Sequence, residues 1–392
     1  MINGGAWKQS EYVNEGIPVV QVSNMKNGTI DISDLKFIST TSYDRYKIHA
    51  LKENDLVIAT VGSHATQASA AGRATIVKDF AAGMLLNQNA VAIRSKSKAL
   101  DQRYLGLLGR SAEFQSYLSI VGKGAANQVR IALSSIRQYK CDLPPVRTQQ
   151  RIAEIISAYD DLIDNNRRRI ALLEQAARLL YREWFVRLRF PGHEHVRIED
   201  GVPEGWESRT LGDLCEEVRE SVKPDAFKSN TPYIGLEHMP RRSISLGEWG
   251  IAGQVTSSKH RFLEGDILFG KIRPYFHKVG VAFVDGIASS DAIVIRPNSS
   301  TLHGLVLMTV SSDAFVALTA QTMREGSKMP RADWKQMQAY SVPLPPDGLL
   351  DIFKKLIDSI IDQLKTLTHM NNRVRTARDL LLPRLMNGEI AI

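Results

Sequence analysis

Apolar positions between Gln149 and Phe185 recur at alternating steps of four and three: Ile152, Ile156, Tyr159, Ile163, Asn166, Ile170, Leu173, Ala177, Leu180 and Trp184. That spacing predicts one long helix with a coiled-coil seam, broken by a single polar entry, Asn166. No Pro or Gly interrupts it, and Leu143-Pro144-Pro145 marks where extended chain yields to helix. At 1.5 Å per residue such a helix is roughly 55 Å long, well beyond an ordinary globular helix. A seam of this length needs a partner. After Leu344-Pro345-Pro346 the same spacing returns in Phe353, Ile357, Ile360, Leu364, Leu367, Asn371, Val374, Arg378, Leu381 and Leu385.

The recurrence extends beyond the helices. Asn165-Asn166-Arg167 is echoed by Asn371-Asn372-Arg373, and the two Leu-Pro-Pro marks lie 344 − 143 = 201 residues apart. Short apolar runs ahead of each helix predict strands: Ile17–Val22, Asp55–Thr60 and Ala90–Arg94 in the first half. Pro232–Leu236, Glu264–Gly270 and Ala292–Arg296 match them in the second. A helical piece is expected over Gln102–Leu118, and Gly122–Arg130 reads as an exposed loop, with Gly326–Arg331 in its place in the second half. The pattern is an internal duplication in the order globular, helix, globular, helix. The expected domains are 1–142, a long-helix region 143–190, a linker 191–205, a second globular domain 206–343 and a helical region 344–392. The second half opens with residues 206–229 ahead of its first matching strand, against 1–16 in the first, so the first half is expected either to have lost an opening segment or to start elsewhere than at its natural beginning.

Composition adds a partner and removes several chemistries. A chain of 392 residues is long enough for two or three cores, and a net charge of +8 leans toward a polyanion. Cys141 and Cys215 have no metal-ligand spacing and are too few for a disulfide framework, as expected of a reducing cytoplasm. The first residues lack signal-peptide design, and no apolar run approaches the roughly 20 residues that span a bilayer. Gly265–Lys271 resembles the start of a phosphate-binding loop, but Ile272 stands where Ser or Thr would hold magnesium and Pro274 blocks the helix. His193-x-His195 has no third ligand nearby, so a pair of linker histidines is the simpler reading. No E-x-K occurs, both Pro-Pro pairs follow Leu rather than a polar residue, and no G-x-G-x-x-G follows a strand. Neither catalysis nor a cofactor or metal is expected of this chain alone.

Two kinds of surface remain. Ahead of each Leu-Pro-Pro lies a stretch rich in Gly, cations and amides: Lys123, Asn127, Gln128 and Arg130 in the first half, Arg324, Ser327, Lys328 and Arg331 in the second. Arg and Lys suit guanine edges and phosphates, and Asn and Gln suit adenine. Beside them, after equivalent strands, come Thr60, Ser63 and His64, and Lys271, Arg273, Tyr275 and His277. The dull alternative for each is a solvated loop or strand end. On the helices, Asn166 and Asn371 sit where a buried Asn lowers stability but fixes register. Arg167, Arg168 and Arg169 read as a solvated turn or as a contact for a partner or for DNA phosphates.

On these residues the chain resembles the specificity subunits of type I restriction–modification systems. The likeness rests on LPPVRTQQRIAEIISAYDDLIDNNRRRIALLEQAARLLYREWF in the centre and on LPP followed by LIDSIIDQLKTLTHMNNRVRTARDLLLPRLMNGEI at the end. The resemblance implies an α+β fold: two mixed α/β target-recognition domains alternating with two long helices that pair as an antiparallel coiled coil. It implies that each domain reads one part of a split sequence in double-stranded DNA. The helices would space the domains and dock two methyltransferase subunits, with restriction subunits joining the complex. S-adenosylmethionine, ATP and magnesium would belong to those partners, and the complex to the cytoplasm. The alternative is a non-catalytic DNA-binding scaffold or an anti-phage subunit without restriction activity.

Overall fold

The computed structural model describes the chain except for residues 27, 33, 63–70, 126–127, 200 and 322–329 and the side chains of Ala125, Asp225 and Gln254. The chain divides into two compact units, residues 1–160 with 376–392, and residues 161–375.

In the first unit the central strand is Leu56–Ala59, which pairs antiparallel with Ala90–Ile93 and with Ala74–Ile76; Ile2–Asn3 extends the sheet beyond Ala90–Ile93. Successive strand residues point to opposite faces, and here both faces are apolar. Leu56, Ile58 and Val91 join Leu105, Phe114 and Leu118, from helices Gln102–Arg110 and Ala112–Val121, in one core. Val57, Ala59 and Ala92 join Val20 and Leu86, from a second sheet, in another. That second sheet holds Ile17–Val20 between parallel Leu85–Leu86 and antiparallel Lys36–Ile38. The expected single helical piece is therefore two helices, divided at Ser111, whose hydroxyl accepts the Phe114 amide as an N-cap.

The second unit repeats this plan. Ile267–Gly270 pairs with Ala292–Pro297 and Val279–Ala282, and Cys215–Val218 flanks Ala292–Pro297. Ile267, Phe269, Ile293 and Ile295 face one core, Leu268 and Val294 the other. Its second sheet again contains a parallel pair, Pro232–Ile234 with Gly286–Ala288. The same buried ion pair closes both central sheets: Arg94 donates twice to Asp55 at 2.6 and 2.7 Å, and Arg296 twice to Asp266 at 2.8 and 2.7 Å. Each carboxylate also accepts the amide three residues upstream, from Lys52 and Leu263, at 2.8 Å. A bidentate pair holding a strand and the turn before it needs an acid and an arginine at fixed places, and both halves supply them.

The long helices run Val146–Tyr181, followed by a π turn over Arg182–Val186, and Asp347–Met386. Of the seam residues, Ile156, Ile163, Asn166, Ile357, Leu364, Leu367 and Asn371 are buried, and Tyr159, Ile170, Leu173 and Ile360 half-buried. In the first unit Ile152, Ala153 and Ile156 pack with Leu382 and Leu385. In the second, Asn166 donates to the Asn371 carboxamide at 3.0 Å, and Trp184 meets Phe353 with ring centroids 5.5 Å apart. Residues 191–205, expected to be a linker, contain a short turn at His193–His195 and a two-stranded ribbon, Ile198–Glu199 with Val202–Pro203. Phe190 and Trp206 close the segment, their rings packed at a tilt of 41° with centroids 5.0 Å apart. Among the described residues no single helix is long and apolar enough to cross a membrane; the bent pair His303–Val310 and Asp313–Gln321 is apolar, and its Leu305, Leu307 and Phe315 lie in the core.

Candidate nucleic-acid interface

In the first unit the chain leaves the central strand at Thr60, whose amide donates to the Asn89 carbonyl at 2.8 Å while its carbonyl accepts from Ile131 at 2.9 Å. Val61–Gly62 then pairs with Val129–Arg130, and Gln128–Arg130 pairs with Lys123–Ala125. The expected loop over Gly122–Arg130 is thus a β-hairpin with a partner strand. Gly124 permits it: φ is +140°, and an added Cβ would meet the Gln128 carbonyl at 2.2 Å. With Val129 buried, Gln128 and Arg130 fall together on the exposed face. Thr60, Lys123, Gln128 and Arg130 are therefore gathered on one small sheet. Ser63, His64 and Asn127 lie outside the described residues.

The second unit uses the same backbone bonds. The Lys271 amide donates to Asp291 at 2.7 Å, and the Lys271 carbonyl accepts from Ala332 at 2.8 Å. Ile272 bridges to Arg331 as Val61 pairs with Arg130. Lys271, Arg273 and Arg331 are brought together, with Arg331 3.5 Å from Asp291. Arg324, Ser327 and Lys328 lie outside the described residues. The two halves offer one frame with different side chains: Thr60, Gln128 and Arg130 in one, Lys271, Arg273 and Arg331 in the other.

Beyond Arg273 the second unit builds a turn, Pro274–Phe276, flanked by Arg273 and His277 in left-handed conformations, φ +50° and +53°. Non-glycine residues there are strained, and the surrounding bonds hold them. The His277 carbonyl accepts from Arg242 at 2.8 Å, and its Nε2 lies 2.8 Å from the Ser311 carbonyl. His277, grouped by sequence with the exposed contacts, is buried and fastens the turn from beneath. Tyr275 is 53% exposed and packs edge-on against Phe276 at 5.0 Å. Arg241 stacks 4.1 Å over the Phe276 ring. In the sequence Arg241 is marked only by the Arg241-Arg242 doublet; the backbone bond from Arg242 to the His277 carbonyl, rather than sequence distance, brings it to Phe276.

The electrostatics of this end are cationic. Burial, and then the Lys271 ammonium, hold the pKa of His260 below the ordinary histidine range, and its Nδ1 has no hydrogen-bond partner among the described residues. Burial lowers His277 in the same way. Among the described residues no group of three His, Cys, Asp or Glu side chains could hold a metal ion. Cys141 is exposed and Cys215 buried, both free thiols.

One strand frame used twice, with different exposed side chains, defines a class of paired recognition modules carried on long helices. Comparison with known proteins gives that class its family. The family of type I restriction modification DNA specificity domains matches residues 2–175 and again residues 203–376, and the chain belongs to it. Similar curated proteins include the type I restriction enzyme MjaIX specificity subunit of Methanocaldococcus jannaschii, 21% identical over 74% of this chain and 69% of that protein. The EcoDI specificity subunit of Escherichia coli is 28% identical over 48% of this chain and 43% of its own. The fold is similar to that of a type I restriction-modification S subunit from M. genitalium, with a TM-score of 0.56, 13% identity and coverage of 98% of this chain and 92% of that one. The protein is a sequence-specific DNA-recognition subunit of a type I restriction–modification complex. It is non-catalytic and works with methyltransferase and restriction subunits.

Proposed function

We propose that the two sheet ends read the two parts of a split DNA sequence, residues 1–142 forming one target-recognition domain and 206–343 the other. The observation that carries this reading is the shared frame: Thr60 and Lys271 make the same two backbone bonds, yet the exposed side chains around them differ. Duplicated domains with one target would have no need of two surfaces. Gln128 and Arg130, with Asn127, contact one half-site; Lys271, Arg273 and Arg331, with Lys328, contact the other. Thr60, Ser63, His64, Lys123, Tyr275, Arg324 and Ser327 complete the two surfaces. Bidentate amide and guanidinium contacts of this kind discriminate bases by about 1–3 kcal/mol each.

The two long helices pair as an antiparallel coiled coil that separates the domains. In support, between Asn166 and Trp184 the central helix advances 184 − 166 = 18 residues while its partners recede 371 − 353 = 18. Exposed Leu172, Leu179, Ile352 and Leu356 leave apolar surface along the helices for two methyltransferase subunits. The complex acts in the cytoplasm. The test is a DNA shift assay with random-sequence competitor, run with and without the methyltransferase. Specific binding that tightens with the partner supports the reading; binding with no sequence preference, or methylation by this chain alone, rejects it.

A further inference from the structure

A cavity of about 410 Å³ lies in the second unit behind the Arg273–His277 turn. Four guanidinium side chains line it, Arg178 and Arg182 from the central helix and its end, Arg187 just beyond, and Arg242 from the loop bonded to His277. Only one carboxylate, Asp313, shares the wall. Asp313 accepts from Arg242 at 2.7 Å and lies 3.5 Å from His277 Nδ1. Arg178 donates to the Arg242 carbonyl at 2.6 Å and stands 3.5 Å from Glu174; Arg187 donates to Glu183 at 2.6 Å. Arg182 has no ion pair among the described residues. Each guanidinium carries five N–H donors, and the bonds named above use only part of that capacity.

The four cations share one opening with Tyr181 and Met308 on its wall, and Arg182, Arg187 and Arg242 are exposed to a ligand from solvent. Helix Asp313–Gln321 begins at the same wall, so its dipole adds positive potential there. Arg242, at φ +54°, is held in a strained backbone conformation beside this opening. We infer that this cavity binds a phosphate group. A phosphate takes several guanidiniums at once, which suits four of them around one opening better than a single-contact ligand does. The phosphate belongs either to the DNA backbone or to a free phosphate compound. The site is separate from the base-reading surface and does not depend on it.

The experiment uses the full chain with its methyltransferase partner and three variants, Arg182→Ala, Arg182→Lys and Arg197→Ala, the last an exposed control. One arm measures DNA affinity against salt. A DNA phosphate in the cavity predicts that Arg182→Ala lowers the salt slope by about 0.9, with Arg182→Lys restoring it and Arg197→Ala leaving it unchanged. The other arm follows thermal unfolding with inorganic phosphate, pyrophosphate or a nucleoside triphosphate at constant ionic strength. A free phosphate compound predicts stabilisation that Arg182→Ala removes. If neither the slope nor the phosphate-dependent stabilisation responds to Arg182→Ala, the inference is overturned. Methylation-motif changes from Lys271 or Arg331 variants report on base reading alone, so the two ideas fail separately.

Discussion

Asn166 and Asn371, 205 residues apart, meet through a 3.0 Å side-chain hydrogen bond while only 1% and 5% exposed. Buried apolar seam residues, Ile163, Leu364 and Leu367, lie within a turn or two of the pair, so each Asn depends on the other. Asn166→Leu alone strands the Asn371 amide and is expected to cost about 1–3 kcal/mol. The double change to Leu is expected to be neutral or stabilising, at the expense of a defined register. Denaturant unfolding of the three variants checks this; a single variant as stable as the parent contradicts it.

Asp160 is held between Arg110, at 2.8 Å, and Arg378, at 2.5 Å. Burial alone would raise its pKa, but the two guanidiniums outweigh burial and hold the carboxyl below its ordinary value. A depressed carboxyl pKa stabilises the fold above the unfolded value and loses that contribution as pH falls through the folded value. Asp160→Asn is therefore expected to destabilise by about 3 kcal/mol at neutral pH, with the difference from the parent shrinking below about pH 4. Unfolding midpoints across that range measure it.

His260 and His277 titrate with the opposite charge and the same outcome. Both pKa values are lowered, chiefly by burial, so the unfolded chain takes up their protons first. Stability is full above the ordinary histidine value, about 6.5, and falls as pH drops toward the folded values. Replacing His277 by Gln is expected to flatten that fall in thermal unfolding between pH 7 and 5. An unchanged pH slope would show that the buried ring is not proton-linked to folding.

The long helices and the duplicated strands were legible because their periods are carried by neighbouring residues. The acids and arginines of the two ion pairs, Asp55 with Arg94 and Asp266 with Arg296, stood within the matching runs. What escaped depends on pairing across sequence. Gly122–Arg130 looks like a loop until Val61–Gly62 is laid beside Val129–Arg130. Arg241 has no reason to attract notice until the Arg242–His277 backbone bond sets it over Phe276. His277 looks like its exposed neighbours, yet the left-handed turn points it inward.

If the helices measure the gap between half-sites, lengthening them lengthens the gap. Four residues inserted near Asn166, with a seam-matched insert near Asn371, add about 6 Å and turn the helix by about 40°. That rise is close to two base-pair steps of about 3.4 Å. Both half-sequences are expected to persist with a gap longer by one or two base pairs. An active variant with an unaltered gap would assign the spacing to the partner subunits.

The central claim is that each unit reads its own half-site, and methylome sequencing of cells expressing the chain with its methyltransferase tests it most directly. Changing Gln128 and Arg130, with Asn127, is expected to alter the methylated motif in one half only; changing Lys271 and Arg331, with Lys328, alters the other half only. A lost phosphate contact would instead weaken all sequences alike. Motifs left intact in both halves, with methylation merely reduced throughout, would contradict the account.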